Sequence, residues 1–375
     1  MSSKVRIAQA DLAALVADLV AAGTRVIAPT RPQGLGRDLC EYAPVQSFAE
    51  VVLDGPVPAR SAKQFFLPPT EPLFRWRQKK SEIELDEVPT RFEPTLLLGL
   101  RPCDAAAGEI VDRVMGWDYR DELWFGRREA TTVLALECAG GDEACFCTAV
   151  GLSPASTRGA DGLLTQVGIG KGFELEVLTP KGEALVAKHQ ARFKPATAGE
   201  GEAGVKERKK GGKTPAELRA AAIERVKRNL ALELEPLRSW IGGHFDDPLW
   251  AEAALRCHGC GACAAVCPTC HCFDIMDEPA GVGAGTRRRN WDTCQTALFT
   301  LHGSGHNPRR DQGARIRQRV THKFGIYPKK FGETLCTGCG RCVRACAAGM
   351  DLLEILGEIQ RRAGAAPAAQ KGGTP

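Results

Sequence analysis

The feature that most constrains this chain is a run of cysteines that occurs twice with one spacing. Cys257-x2-Cys260-x2-Cys263-x3-Cys267-Pro268 is followed by Cys336-x2-Cys339-x2-Cys342-x3-Cys346. Three thiolates at these intervals let one tight loop wrap an iron–sulfur cube and ligate three of its irons. The fourth, carried on the helical turn that follows, points away toward a second cube. The spacing therefore predicts two 4Fe–4S clusters with crossed ligands: Cys257, Cys260, Cys263 and Cys346 for one, Cys336, Cys339, Cys342 and Cys267 for the other. Structural zinc, the rival, takes paired C-x2-C arms rather than a triplet with a trailing fourth cysteine. Two details depart from a compact two-cluster ferredoxin. Ala347 stands where the second run would carry proline, and 68 residues separate Cys267 from Cys336.

The chain has sixteen cysteines in 375 residues, and eleven of them fall between Cys257 and Cys346. The amino-terminal stretch carries Asp11 and Asp18 among its apolar residues and lacks a signal-peptide layout. No run of eighteen apolar residues occurs, so no membrane span is expected. These features point to a cytoplasmic protein, where clustered cysteines mean metal rather than disulfides. A net charge of +5 is too mild to imply a nucleic-acid partner.

The expected fold class is an α/β amino-terminal domain with a parallel or mixed sheet, followed by an α+β ferredoxin-like dicluster domain with a long insert. Residues 11–22 read as an amphipathic helix capped at Gly23, with a strand over Arg25–Pro29. Thr95–Arg101, Asp104–Met115 and Thr131–Cys138 read as strand, helix and strand, a crossover unit on a parallel sheet. Gly162–Val167 and Phe173–Leu178 read as strands around a GIGKG turn, since no helix follows that glycine run. The domain division is 1–196 for the α/β domain and 197–245 for a charged linker with a connecting helix. The two-cluster domain takes 246–362, and 363–375 form a disordered tail. Thr197–Lys213 lacks apolar periodicity, and Thr214-Pro215-Ala216-Glu217 starts a helix that runs to about Ile241. A short helix over Pro248–Arg256 leads into the cysteines.

Four more cysteines lie in the amino-terminal domain. Cys103 and Cys138 follow consecutive buried strands, so both should open into the crevice beyond the strands' carboxyl ends, and Cys145 and Cys147 follow within one loop. A third cluster on Cys103, Cys138, Cys145 and Cys147, with Asp104 as a substitute ligand, stands beside the alternative of unligated cysteines around a partner-binding loop. In the insert, Cys270, Cys272 and Cys294 read as buried free thiols, with extra ligation as the second reading. Its many arginines are either a solvated face or counter-charges to the clusters and a docking surface. His258 and His271 flank ligands and suit exposed or supporting roles.

Several blocks beyond the two runs carry a resemblance over nearly the whole chain. SAKQFFLPPTEPLF, GLRPCDAAAGEIVDRVMG, ECAGGDEACFCTAVG, CPTCHCFDI, WDTCQTALFT, GHNPRR and THKF are similar to the electron-transfer beta subunit of soluble NAD(P)-linked nickel–iron hydrogenases, the sulfhydrogenases. The A component of anaerobic sulfite reductase is similar in the same places. The resemblance implies an electron relay between a flavin- and NAD(P)-binding partner subunit and a catalytic oxidoreductase subunit, with no catalytic residues in this chain. The rival readings are a flavin-binding iron–sulfur reductase that acts directly and, resting only on the arginine-rich insert, an iron–sulfur sensor or nucleic-acid-binding protein.

Overall fold

A computed structural model describes residues 3–32, 39–88, 90–139, 141–168, 170–196 and 215–365. The expected linker over Thr197–Lys213, the capping Thr214 and tail residues 366–375 lie outside the described residues.

The chain opens with β1 (Ser3–Ile7), α1 (Gln9–Ala21), β2 (Arg25–Thr30) and β3 (Glu41–Pro44). The spacing of Leu12, Leu15, Val16 and Leu19 makes α1 amphipathic, and all four are buried. Gly23, at φ 77°, turns the chain out of the helix. A hairpin follows, β4 (Thr70–Lys79) and β5 (Glu82–Glu87). Next comes the anticipated crossover: β6 (Thr95–Leu100), α2 (Pro102–Met115), α3 (Glu122–Ala130) and β7 (Thr131–Leu136). β6 and β7 pair in parallel. β8 (Gly162–Gly168) and β9 (Gly172–Val177) form an antiparallel hairpin, so the glycine run is a turn. α4 (Pro180–Lys188) and β10 (Lys194–Pro195) close this half.

These elements build an eight-stranded sheet in the order β10-β1-β9-β8-β7-β6-β2-β3. It is mixed: β2, β6, β7 and β8 run parallel, and the strands at both ends are antiparallel. β6 and β7 read TLLLGL and TTVLAL, nearly continuous apolar runs, because both faces are covered.

The second half begins with α5 (Pro215–Asn229) and α6 (Leu234–Gly243). One helix was expected to run to Ile241; the structure breaks it at residues 230–233. Pro236, in the first turn of α6, cannot continue a helix from α5, and tertiary contacts hold the break open. Asn229 Nδ2 donates to the carbonyls of Asp142 and Cys145, and the Glu233 amide donates to Gln360 Oε1. Leu230 and Leu232 pack into the carboxy-terminal core. α7 (Leu249–Ala253) and α8 (Ala262–Ala265) precede the hairpin β11 (Phe273–Pro279) and β12 (Ala284–Trp291). Then come α9 (Gln312–Thr321), a π-helical turn at His322–Ile326, α10 (Tyr327–Phe331), α11 (Arg341–Arg344) and α12 (Leu352–Ala365). α12 carries the chain three residues past the expected start of the tail, because Leu352, Ile355, Leu356 and Ile359 bury one stripe against α6.

A second sheet, ordered β11-β12-β4-β5, joins the halves. β12 pairs with β4 across more than 190 residues of sequence, from Ala284↔Arg77 to Asn290↔Thr70. Beneath this join Arg289 is buried against Glu71 and Asp121. The arginines of the segment do not act as one set: Arg287 and Arg288 pair with Asp277 and Glu278 across the hairpin, Arg289 pairs with buried carboxylates, Arg315 holds backbone carbonyls, and Arg319 is buried beside Cys270.

Candidate metal centres

Each cysteine triplet sits on a loop that turns at glycines in the left-handed region, Gly259 and Gly261 in the first run, Gly338 and Gly340 in the second. Each loop ends in a single helical turn, α8 or α11, and these two turns pack on one another. The trailing cysteines Cys267 and Cys346 follow them, so each run delivers its last thiol toward the other.

The result is visible at a cavity of about 170 Å³. Cys257, Cys260 and Cys263 line it from the first run and Cys346 from the second; Ile316, Val320, Leu352 and Ile355 supply an apolar wall. Cys342 and Arg319 also reach it. Among the described residues no three His, Cys, Asp or Glu side chains converge tightly enough to hold a single metal ion. Thiols of both runs line one space, and an all-sulfur donor set is what a 4Fe–4S cube takes.

The other set is more deeply placed. Cys267, Cys336 and Cys339 are buried, and Cys342 is half-buried. Burial pushes the Cys336 thiol up to about 12, with the nearby Cys267 and Cys342 adding to it and Lys323 opposing. Burial likewise pushes Cys342 up to about 11; Arg319 opposes, and Cys267, Cys339 and Cys263 add. Cys267 therefore lies within electrostatic reach of the second triplet. Its own thiol is held well below the ordinary value, by a hydrogen bond with Cys270 first and by Lys323 and Arg319 against the cost of burial. Bound iron would reverse the upward shifts, since a coordinating thiol is deprotonated by the metal's charge.

The donors around these sulfurs fit ligated thiolates. Lys323 Nζ lies 3.4 Å from Cys267 Sγ, Gln312 Nε2 3.5 Å from Cys257 Sγ, the Gly338 amide 3.4 Å from Cys336 Sγ and the Met350 amide 3.3 Å from Cys346 Sγ. Lys323 is only 3% exposed, and its remaining hydrogen bonds go to Thr269 Oγ1 and the Leu335 carbonyl. An ammonium buried among neutral oxygens needs an anion, and the thiolate beside it supplies one. Hydrogen bonds to cluster sulfurs also set reduction potential. The motifs THKF and RIRQR hold Lys323 and Arg319, but only packing shows which cations turn inward.

Cys103, Cys138, Cys145 and Cys147 gather beyond the carboxyl ends of β6 and β7. Cys103 lies in the first turn of α2. Burial pushes its thiol well above the ordinary value; Asp104 adds, Arg341 opposes, and Cys339 and Cys138 add. Cys147 is pushed up to about 12 by burial, then by Cys145 and Cys138. Burial followed by Asp142 takes Cys145 to about 12 as well, with Arg344 opposing. This group rests on the second ferredoxin loop: the Phe146 amide donates to the Gly338 carbonyl at 2.7 Å, and Cys145 Sγ lies 3.8 Å from the Cys339 carbonyl.

Asp104, named as a substitute ligand, is engaged by Arg341 in this fold. Both of its oxygens bind Arg341, at 2.9 and 2.7 Å, and Tyr42 donates to Oδ2 at 2.9 Å. The ion pair is completely buried, and Arg341 Nε completes its bonding at the Pro58 carbonyl. Three of its roughly four acceptor positions are taken, and its charge is neutralised by the guanidinium. His258 is exposed, at the rim of the 170 Å³ cavity. Burial lowers His271 to about 4, so its ring is neutral, and Nδ1 lies 3.0 Å from the Thr269 carbonyl.

Fold and site together define a mixed α/β protein whose carboxy-terminal part carries two ferredoxin-type cysteine runs. Residues 256–350 match the 4Fe–4S dicluster domain family. Over 336 residues, 90% of this chain and 92% of the relative, the sequence is 28% identical to the sulfhydrogenase 2 subunit beta of Pyrococcus furiosus. The resemblance drawn from the sequence blocks holds: the chain is a homologue of a sulfhydrogenase beta subunit. Among the described residues no helix is long and apolar enough to cross a membrane.

Proposed function

We propose that this chain is a cytoplasmic electron-relay subunit of a multi-subunit oxidoreductase. Two 4Fe–4S clusters sit on the crossed sets Cys257, Cys260, Cys263, Cys346 and Cys336, Cys339, Cys342, Cys267. A third sits on Cys103, Cys138, Cys145 and Cys147. Electrons pass between a flavin- and NAD(P)-binding partner and a catalytic subunit, of nickel–iron hydrogenase or sulfite reductase type. The observation that carries this reading is the cavity at which three cysteines of the first run meet the last cysteine of the second. The lean of the Cys145–Cys147 loop on the second triplet supports an unbroken series from one end of the chain to the other. In this reading the segment between Cys267 and Cys336 is an insert in a ferredoxin-like domain. Residues 1–196 are the α/β body that presents the third centre, 197–245 the linker and connecting helix, 246–362 the dicluster domain and 363–375 the tail.

The protein's residues supply thiolate ligands, buried cations beside them and an apolar wall that excludes water; the clusters supply one-electron redox chemistry when bound. The test is anaerobic reconstitution of the full chain, with iron and sulfide analysis and electron paramagnetic resonance. Cys267→Ala should disturb the signal of the cluster on Cys336, Cys339 and Cys342 and spare the one beside it in sequence. Cys138→Ser should remove about four irons and leave both ferredoxin signals in place. Stoichiometric zinc without iron would defeat the relay, and a Cys267→Ala change confined to the neighbouring cluster would defeat the crossing.

A further inference from the structure

β5 ends the second sheet, and among the described residues no strand pairs with its outer side. We infer that this edge receives an extended strand of another subunit of the oxidoreductase, in which basic side chains alternate with apolar ones. The inference rests on the relay-subunit reading and names where one partner of that relay docks.

The β4–β5 hairpin sorts its side chains by face, as the pleat requires. On one face Arg75, Arg77 and Lys79 of β4 stand opposite Asp86, Glu84 and Glu82 of β5. Lys79 Nζ lies 2.9 Å from Glu84 Oε1, and Arg77 Nη2 lies 4.0 Å from Asp86 Oδ2. The other face carries Phe74 and Trp76 on β4 and Ile83 and Leu85 on β5. None of these four side chains belongs to a hydrophobic core cluster of the described residues. Ile83 and Leu85 are 67% and 63% exposed. Trp76 pairs with Gly285 of β12 and covers it, since a Cβ there would come within 2.6 Å of the indole ring. The apolar row therefore runs inward from the open edge. Strand addition uses both features: the free backbone edge gives affinity, and pockets for alternate side chains give specificity.

The charges select the occupant. All six residues of β5 are exposed, and Glu82, Glu84 and Asp86 form the outermost charged row of the sheet. A row of cations on β4 faces a row of anions on β5, so the next strand continues the alternation with cations on this face and apolar groups on the other. A second copy of this chain does not fit. Setting Ile83 opposite Leu85 of an antiparallel copy places Glu84 against Glu84 and Glu82 against Asp86, and like charges directly opposite destabilise a pair. Residues 197–214 hold basic side chains, but Val205 is their one large apolar residue, too few to fill the other row. The acidic row thus keeps copies of this chain apart and admits a basic strand from a different one.

The test is hydrogen exchange over residues 82–87, in the isolated full-length holoprotein and in the complex that co-purifies with it. The outward amides of β5 should exchange freely in the isolated chain and at least about tenfold more slowly in the complex. Equal exchange overturns the inference. Protection already present in the isolated chain also overturns it, because a second copy or the chain's own segment then holds the edge. An Ile83→Asp, Leu85→Asp double variant changes two exposed positions remote in sequence from every proposed ligand. Its iron content and both ferredoxin resonance signals should be unchanged, while protection of the edge in the complex is lost. Protection that survives both aspartates overturns the inference. Should that variant fail to fold, added salt decides on the wild-type complex: protection should fall as the charged rows are screened, and salt-independent protection defeats a basic partner. A chain that co-purifies with no other subunit defeats the relay-subunit reading and the docking with it, whereas a complex with an unprotected edge defeats only the docking.

Discussion

At the residue scale, the buried pair Asp104–Arg341 links the two halves within electrostatic reach of Cys103 and Cys339. Arg341 lies between Cys339 and Cys342 in sequence, and Asp104 follows Cys103. With both side chains almost wholly excluded from water, removing one charge leaves the other stranded. Asp104→Ala should therefore destabilise the protein by about 3–5 kcal/mol, read as a fall in urea midpoint. Asp104→Leu combined with Arg341→Met should recover most of that loss, because two apolar groups leave no charge unpaired. Equal losses in the single and double variants would show that the pair is not what holds this contact. The sequence block RPCD drew attention to Asp104 as a ligand. A carboxylate beside a cysteine reads the same whether it faces a metal or an arginine 237 residues away, and only packing separates the two.

At the element scale, the glycines of the second cysteine loop do more than turn it. Gly338 has φ 61°, and a Cβ there would come within 2.5 Å of the Cys147 amide nitrogen. The absence of a side chain lets the Cys145–Cys147 segment lie flat on the loop and take its hydrogen bond from Phe146 to Gly338. Gly338→Ala should cost at least about 1–3 kcal/mol from backbone strain alone. Displacement of the Cys147 segment adds to this. The measurements are thermal unfolding and iron content: the proposed third centre should be lost before the first. An alanine variant with unchanged stability and iron would refute the close approach. Most elements were legible from periodicity and caps, α1, β6, α2, β7 and the β8–β9 hairpin among them. The α5–α6 break was legible too, in Pro236: a proline in the first turn of α6 cannot bond back to Leu232, so a helix from α5 must stop short of it.

At the scale of the whole molecule, the core of the eight-stranded sheet and the core around the cysteines are separate hydrophobic clusters. The first gathers Leu15, Val26, Leu96, Leu134 and Leu175; the second includes Cys257, Cys336 and Cys342 as packing members. Stripping iron under chelation should therefore abolish amide-exchange protection across residues 256–350 while β6 and β7 stay protected. Uniform loss across both regions would show a single cooperative unit. The iron-free form should also respond to pH in one direction. Burial raises Cys145, Cys147 and Cys336 from the ordinary 9.0 to about 12. A thiol whose folded value is raised stabilises the fold fully below the unfolded value and loses that contribution as pH rises from about 9 toward 12. The urea midpoint of the iron-free protein should fall over that range. The holoprotein, with those sulfurs already ligated as thiolates, should be far less sensitive.

The sequence by itself determined the iron–sulfur chemistry, because ligand spacing is a local property: a tight loop offering three thiolates at two-residue intervals suits a cube wherever it lies in a fold. It also determined the parallel centre of the large sheet, since a strand covered on both faces must be apolar along its length. The tertiary structure alone decided the rest. It set β12 against β4, so that one sheet spans both halves, and joined Asp104 to Arg341. It also turned Arg319 and Lys323 inward onto thiols and left other basic residues in water. A charge in a sequence carries no sign of its burial. Its place is settled by what distant segments pack around it, and by the cost of leaving it there without an anion.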